Sequence, residues 1–411
     1  MLSETSTATV RATLPVVGAA IGDITERFYA RLFAAHPELL RDLFNRGNQA
    51  AGTQRQALAG SIAGFATHLL EHPGTRPDAM LARIAHKHAS LGVSPGQYKV
   101  VHENLFAAIV EVLGDAVTPE VAAAWDEVYW LMANALIALE QRLYAEHGYL
   151  AGGTWGDWEV VGRREETADV ASFLLRPVGG GTPQPFQAGQ YVSVQVELPD
   201  GARQIRQYSM VSAPDAAVRQ ISVKRERGDE ESPAGEVSNF LHDHVRTGQV
   251  LRVSAPFGDL VLNAALSGRD GDGDAATRTE RPLLLASAGI GVTPMVSLLA
   301  ELVNREHAAP VAVVHADRSP AAHALRDDQA ILAEKLPAGT SHYWYEADAG
   351  ELGRTGYADL TDLELPADTA AFICGPLPFM QSMRQQLLAK GVPAADIHYE
   401  VFGPDLWLAS A

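Results

Sequence analysis

Between about residue 8 and residue 147 apolar side chains recur every three to four positions, with Gly and Pro between the runs and no alternating stretch. That period predicts an all-helical segment. In DITERFYARLFAAHPELLRDLF, Ile24, Phe28, Leu32, Leu39 and Leu43 trace the buried stripes, and Pro37 opens a new helix after a break. Further helices are expected over 55–70, 79–91, 96–113 and 119–146. The glycines of GYLAGGTWGDW mark a linker, after which GQYVSVQVEL, IRQYSMVS, VRQISVKRE and VLRVSAPFGDLVL read as strands around one helix, EVSNFLHDHV. This pattern suggests a small antiparallel barrel. Beyond SGRDGDGDAATRTER strands alternate with helices: PLLLAS, a helix from Pro294, PVAVVH, a helix from about 321, SHYWYEA, AAFICG and a helix over 376–389. Such alternation predicts a parallel sheet with crossover helices. Three domains follow, at 1–147, 153–266 and 281–411.

Composition narrows the function classes. Hydrophobic residues make up 47% of the chain and charged residues 20%, as in globular proteins, and the net charge is −18. An excess of negative charge repels phosphate backbones and anionic lipid, so no nucleic-acid partner is expected. The single cysteine, Cys374, excludes an internal disulfide and a cysteine-cluster metal site. No run approaches the ~18 apolar residues of a membrane span, so no membrane insertion is expected. The N-terminal stretch lacks a basic region leading into an apolar core, and the protein is read as cytoplasmic. DGDGD in the 267–281 loop imitates a calcium loop, but Ala275 stands where the turn needs Gly and Arg281 where a bidentate Glu is needed.

Candidate chemistry sits in each segment. In LARIAHKHASLGV, Leu81, Ile84, Ala85 and Leu91 form one stripe, and His88 falls on it, while His86 and Lys87 fall off it and are expected in solvent. His88 is either a core histidine satisfied by a carbonyl or an axial ligand to haem iron, which needs a neutral imidazole aimed into an apolar cavity. In the second segment Arg206, Gln207, Tyr208 and Ser209 offer an aromatic, a hydroxyl and a cation for a flavin. Gly235, Glu236, Val237 and Ser238 enter a helix whose N-terminal amides suit a pyrophosphate. In the third, Gly289, Gly291, Thr293 and Pro294 form a GxGxxP turn from strand to helix, where backbone can approach a dinucleotide. Cys374, Gly375 and Pro376 follow another strand end, and Glu400, Phe402 and Gly403 lie in YEVFGP. After PVAVVH, Asp317 could hold a ribose hydroxyl and Arg318 a 2′-phosphate, which leaves NADH and NADPH both open.

FYARLFAAHPELLRDLFNRGNQAAGTQRQALAGSIAGFA followed by IAHKHASLGV resembles the globin domain of the flavohaemoglobins, and the later motifs resemble a ferredoxin-reductase-like pair of FAD and NAD(P) domains. The resemblance implies a multidomain chain: an all-α globin domain, an antiparallel β-barrel FAD domain and an α/β nucleotide-binding domain. It implies haem b held by His88, with Tyr29 and Gln54 on the oxygen side, Leu58 shaping the pocket, Phe44 packing on the haem, and Tyr98 and Glu140 bonded around His88. Gln190, Tyr191 and Lys224 to Glu226 match the FAD domain. Phe402 matches an aromatic that covers the flavin and Glu400 the acid beside it, while Val401 stands where the family often has Cys. The implied cofactors are haem b, FAD and NADH or NADPH, the partners O2, NO and NAD(P)H, and the chain a monomer. The implied activity is nitric oxide dioxygenase, giving nitrate from O2 and NO. Two other readings are an oxygen-binding or sensing protein, and a haem-free NAD(P)H-dependent flavin reductase.

Overall fold

The Ser3 hydroxyl accepts a hydrogen bond from the Ser6 N–H and so starts α1 (Glu4–Ala35), the first element of a computed structural model that describes residues 1–150, 153–228, 233–266, 280–347 and 349–404. The acidic loop lies outside the described residues, except for Glu280 and Arg281 at its end. Six helices follow: α2 (Pro37–Asp42), α3 (Arg46–Ala50), α4 (Thr53–Glu71), α5 (Asp78–Leu91), α6 (Pro95–Leu113) and α7 (Pro119–Glu146). Pro37, Pro95 and Pro119 sit at helix starts, where a missing N–H costs nothing. The expected helices form close to their expected ends, with one short addition: α3, capped by the Asn45 side chain. Ile24, Phe28, Leu32, Phe65, Leu81 and Leu136 are buried in one core, while Leu39 only packs against its edge.

The second unit contains β1 (Trp155–Glu165), β2 (Val170–Pro177), β3 (Tyr191–Glu197), β4 (Arg203–Ser209), β5 (Arg219–Lys224), α8 (Glu236–His244) and β6 (Val250–Ser254). The strands pair antiparallel in the order β4-β3-β6-β1-β2-β5, and a bridge from Met210 to Ile221 joins the two edges into a barrel. Strands β1 and β2 are additions to the expected set. A register shift between Val160 and Gly162 breaks the alternation of β1, and β2 is buried at consecutive positions, so neither carries a clean period of two.

After α9 (Leu262–Leu266) come β7 (Leu283–Ala288), α10 (Val292–Asn304), β8 (Val311–Asp317), α11 (Arg326–Lys335), β9 (Gly339–Tyr345), β10 (Arg354–Thr355), β11 (Ala370–Cys374), α12 (Leu377–Ala389) and β12 (Ile397–Glu400). These strands form a parallel sheet in the order β10-β9-β8-β7-β11-β12. β7 and β11 are buried at every position, as central strands covered on both faces must be. Two helix starts differ from expectation. A 3-10 turn over Gly289–Gly291 leads into α10 two residues before Pro294, which still lies in the first turn. α11 starts at Arg326 instead of 321, because Leu325 takes a left-handed conformation (φ 57) that no continuous helix admits. Among the described residues no helix is long and apolar enough to cross a membrane.

Under the parallel sheet two imidazoles, His315 and His323, stack at 3.8 Å between centroids and 15° between planes. Ser287 Oγ lies 2.8 Å from His315 Nδ1, and Tyr345 OH lies 2.9 Å from His323 Nδ1. Burial lowers the pKa of both rings, and for His323, with His315 adding to the effect, it falls to about 2. An unfolded histidine titrates near about 6.5, so above that pH neither state binds the proton and stability is indifferent to these rings. Below it the unfolded chain takes up protons that the native rings refuse, and stability falls as pH falls. Urea unfolding followed from pH 7.5 to pH 5, in steps of about 0.5, is expected to show a falling midpoint in wild type and a shallower fall in His323→Phe. Equal slopes would remove this pair as the cause.

Candidate active site

His88 projects from α5 and Glu140 from α7, and the His88 Nδ1 lies 2.8 Å from Glu140 Oε1 and 2.9 Å from the Tyr98 hydroxyl on α6. The Tyr98 hydroxyl donates to the same carboxylate oxygen. Glu140 is 2% exposed, and these two donors satisfy its buried Oε1. Each charge-assisted bond is worth about 1.5–3 kcal/mol, and burying a carboxylate costs several kcal/mol, so neither donor alone balances the cost. Burial, with the Glu140 charge and hydrogen bond adding to it, pushes the Tyr98 phenol well above its ordinary pKa and keeps it a donor. With Nδ1–H directed at the carboxylate, the ring is held in one tautomer and Nε2 is left as the electron-pair donor.

Across this helical unit Tyr29 is buried on α1, with Phe33 at 5.6 Å and Phe44 edge-on at 5.9 Å. Burial raises its phenol pKa strongly, against the smaller opposing effect of the Gln54 and Gln49 side-chain amides that act on it. Tyr29 therefore stays protonated and able to donate a hydrogen bond. Gln49 was not foreseen. Its Nε2 is buried and closes no hydrogen bond of ordinary geometry. Leu58 and Phe44 pack against the same core. Among the described residues no group of three His, Cys, Asp or Glu could hold a bare metal ion. A single imidazole whose other nitrogen is held by a carboxylate, in a helical unit with an apolar, tyrosine-bearing core, is instead the donor set that fits a haem.

Strand β4 carries Arg206, Gln207, Tyr208 and Ser209, and Ser209 pairs in register with Tyr191 on β3. The Ser209 hydroxyl is buried with no hydrogen-bond partner, a group suited to the polar edge of a flavin. Arg206 donates to Gln204 Oε1 at 3.3 Å and to the Ile205 carbonyl at 2.7 Å, and burial lowers its pKa. Gly235 caps α8, with Glu236, Val237 and Ser238 forming the first turn. A Cβ on Gly235 would lie 2.6 Å from Ser238 Oγ, so a larger residue there would have to displace that hydroxyl. Ser238 Oγ accepts from the Glu226 N–H at 3.2 Å and is part of that turn.

In the parallel sheet β8 and β9 lie on one side of β7 and β11 and β12 on the other, so the strand order reverses between β7 and β11. Ligands of open α/β sheets bind in the crevice at such a point. Gly289 to Gly291 follow β7, and Cys374 ends β11 with Gly375 and Pro376 just after it, at that crevice. Thr293 Oγ1 ties back to the Ile290 carbonyl at 2.9 Å, and Pro294 lies beyond it. Glu400, 7% exposed, pairs in register with Cys374, whose thiol is pushed well up by burial and then by the Glu400 charge. Cys374 is thus no thiolate nucleophile. Phe402 is 46% exposed just beyond β12, with Gly403 next to it. Asp317 Oδ1 accepts the Arg318 N–H at 2.8 Å, while the Arg318 side chain reaches Asp169 at 3.5 Å.

One expectation fails. His86 and Lys87 are half-buried and not in solvent: the His86 Nδ1 accepts the Gly258 N–H at 3.0 Å, and burial lowers its pKa. The outward face of α5 is covered by the barrel, which a reading of one helix cannot foresee. Arg83, on the same helix, stacks 4.0 Å over Tyr399 and donates to its hydroxyl at 2.7 Å, one residue from Glu400. Ser193 Oγ donates to Ser90 Oγ at 3.0 Å, and Gln207 Nε2 donates to Ser193 Oγ at 3.0 Å, linking β4 to α5.

An imidazole for a haem, an anion-binding helix start beside a flavin strand, and a dinucleotide crevice in one chain define an NAD(P)H-dependent oxidoreductase that carries both haem and FAD. Family comparison agrees with that class: residues 26–136 match globin, 158–262 the oxidoreductase FAD-binding domain and 285–385 the oxidoreductase NAD-binding domain. The chain is 40% identical to the flavohemoprotein of Rhizobium meliloti (99% of this chain, 100% of that one) and 41% identical to that of Bordetella parapertussis (98% and 99%). A crystal structure of flavohemoglobin from Malassezia yamatoensis, with bound FAD and heme, superposes with a TM-score of 0.88 at 37% identity, covering 98% of this chain and 100% of that one. The FAD/NAD-binding domain of nitric oxide dioxygenase from Vibrio cholerae matches 61% of this chain and 100% of that one, at 34% identity and a TM-score of 0.54. The chain belongs to the flavohemoprotein family, and its activity is NAD(P)H-driven electron transfer to haem through FAD.

Gly291 gives a test of the nucleotide crevice. A Cβ there would lie 2.3 Å from the Cys374 carbonyl oxygen and 2.9 Å from the Gly375 nitrogen, both backbone atoms. An overpacked contact costs about 1–3 kcal/mol, so Gly291→Ala is expected to raise the KM for NAD(P)H about ten- to hundredfold. The haem spectrum is expected to stay unchanged; an unchanged KM would show that the two loops do not form the nucleotide site.

Proposed function

We propose that this protein is a nitric oxide dioxygenase, in which two NO, two O2 and one NAD(P)H give two nitrates, NAD(P)+ and a proton. The observation that carries the proposal is the half-buried His88 bonded to the buried Tyr98 and Glu140, together with a protonated Tyr29, in the same chain as a candidate flavin strand and nucleotide crevice. FAD, when bound, accepts a hydride and releases electrons singly, and haem iron supplies the one-electron centre at which O2 and NO react. His88 would hold the iron through Nε2, while Glu140 and Tyr98 raise the basicity of that nitrogen. Tyr29 and Gln54 would donate toward oxygen, with Gln49 beside them, and Leu58 and Phe44 would keep water out.

Arg206, Tyr208, Ser209, Tyr191 and the Gly235 to Ser238 turn would hold FAD, and Gln207 would brace β4. Gly289, Gly291, Thr293, Pro294 and the Cys374 to Pro376 loop would hold the dinucleotide. Glu400, Phe402 and Gly403 would border the place where nicotinamide meets flavin. In this reading the protein works as a cytoplasmic monomer with domains at 1–147, 153–266 and 281–411. A storage protein has no use for a reductase on each haem, which favours turnover over oxygen storage.

Anaerobic NADH added to the purified holoprotein is expected to reduce flavin and haem, and O2 followed by NO is expected to yield one nitrate per NO. His88→Ala is expected to lose the haem band with flavin reduction intact. Tyr29→Phe, which removes one hydrogen bond to a polar ligand, is expected to speed O2 dissociation about tenfold. Slow or absent nitrate formation with normal O2 binding would replace the dioxygenase by an oxygen-binding protein.

A further inference from the structure

We propose that Arg46, a residue of the helical unit, is a positioning residue that ties occupancy of the FAD pyrophosphate site to the geometry of the oxygen pocket. The proposal rests on the cofactor placement given above. Arg46 opens α3 and reaches across the domain seam. Its Nε and Nη2 fork onto Glu236 Oε2 and Oε1 at 3.2 and 2.7 Å, and its Nη1 meets Asp200 Oδ2 at 2.7 Å. Glu236 is the first residue of α8, whose N-terminal amides attract anions. A carboxylate at that position repels an incoming pyrophosphate unless a cation neutralises it. Arg206 senses both Glu236 and Arg46 electrostatically, so two guanidinium groups from different domains serve one anion site. Without Arg46 the Glu236 carboxylate would lose its forked partner and keep only the longer-range field of Arg206. The buried, unpartnered Ser209 hydroxyl marks the same strand as ligand-bearing.

The other end of the linkage is the segment that Arg46 belongs to. Five residues make α3, too short to hold its own shape in water. Its approach is clamped by the barrel: the fully buried Gln204 of β4 donates through Nε2 to the carbonyls of Leu40, Arg41 and Phe44 at 3.3, 3.0 and 3.2 Å, and its Oε1 accepts the Arg46 N–H at 3.4 Å. Arg203 adds backbone and side-chain bonds to Asp42 at 3.1 and 3.0 Å. On its inner side this clamped segment bears Phe44, edge-on to Tyr29, and leads to Gln49, which acts on the Tyr29 phenol. A shift of β4 or α8 on FAD binding is thereby passed to the two side chains that border Tyr29. By linkage the effect is mutual: FAD must change ligand affinity in the pocket by the factor with which that ligand changes FAD affinity.

Carbon monoxide is the probe. The full-length ferrous protein is studied with FAD bound and after FAD removal, by CO dissociation rate and by the CO stretching frequency, with FAD affinity measured separately. Removal of FAD from wild type is expected to change CO dissociation about fivefold, the low end of site-to-site coupling, because the Arg46 pairs are partly exposed. Arg46→Met is expected to weaken FAD binding and to abolish the FAD dependence of both CO readouts, and Arg46→Lys to restore it in part, since an ammonium cannot fork onto a carboxylate. Glu236→Gln is expected to tighten FAD binding while also uncoupling the pocket; a merely structural pair would weaken FAD in both variants. Should Arg46→Met fail to fold, the Glu236→Gln result decides. CO readouts indifferent to FAD in wild type, or still fully FAD-dependent in Arg46→Met, overturn the proposal. No NO enters the experiment, so its failure is distinct from failure of the dioxygenase reading.

Discussion

Helix α5 has to satisfy two interiors at once, and the rest of the molecule is arranged around that constraint. Its inner stripe seals the helical core with Leu81 and Ala85 and presents His88 to Glu140 and Tyr98. Its outer face, which in an isolated globin would meet water, is packed on two further units: His86 on the Gly258 backbone, Ser90 on Ser193 and Arg83 on Tyr399. Small residues make this possible. Ala89 lies in a cluster with Tyr144, Tyr191, Ala255 and Phe257, where a larger side chain would hold the barrel away. A buried aromatic contact of this kind, closed over polar pairs, fixes the orientation of units that a flexible linker alone would leave free.

Most of the architecture was legible because each domain writes its own period. Apolar spacing of three to four residues located α4 to α7, and βα alternation with a glycine turn located β7 and α10, the latter two residues late at its start. The contacts of His88 were legible in part: the helical wheel put it on the stripe of Leu81 and Ala85, and the family resemblance supplied Tyr98 and Glu140, which the folded chain brings to one nitrogen. What stayed hidden has a common cause. His86, Arg46 and Gln204 depend on partners 172, 190 and 164 residues away, and no local pattern encodes the face that a neighbouring domain covers. β1 and β2 were hidden differently, one by a bulge and the other by burial on both faces, each of which erases the period of two.

The seam between haem and flavin units is polar, yet well satisfied. Gln204 spends its amide on three carbonyls of a loop that has too little helix to satisfy them itself, and Asp42 answers Arg203. Such a seam is assembled from directional bonds more than from apolar area, so it specifies one mutual orientation without requiring a large hydrophobic patch that would be sticky in isolation. The net charge of −18 is compatible with this because acidic groups at the seam are paired with arginines, Asp200 and Glu236 with Arg46 and Asp42 with Arg203.

Cys374 carries one more consequence. The only sulfhydryl in the chain is fully buried at the end of a central strand, and its neighbourhood, with Glu400 in register beside it, disfavours the ionised form. Oxidants and nitrosating agents attack the thiolate and need access to it. A protein whose proposed substrates are NO and O2 therefore meets them with no exposed, ionised thiol to lose.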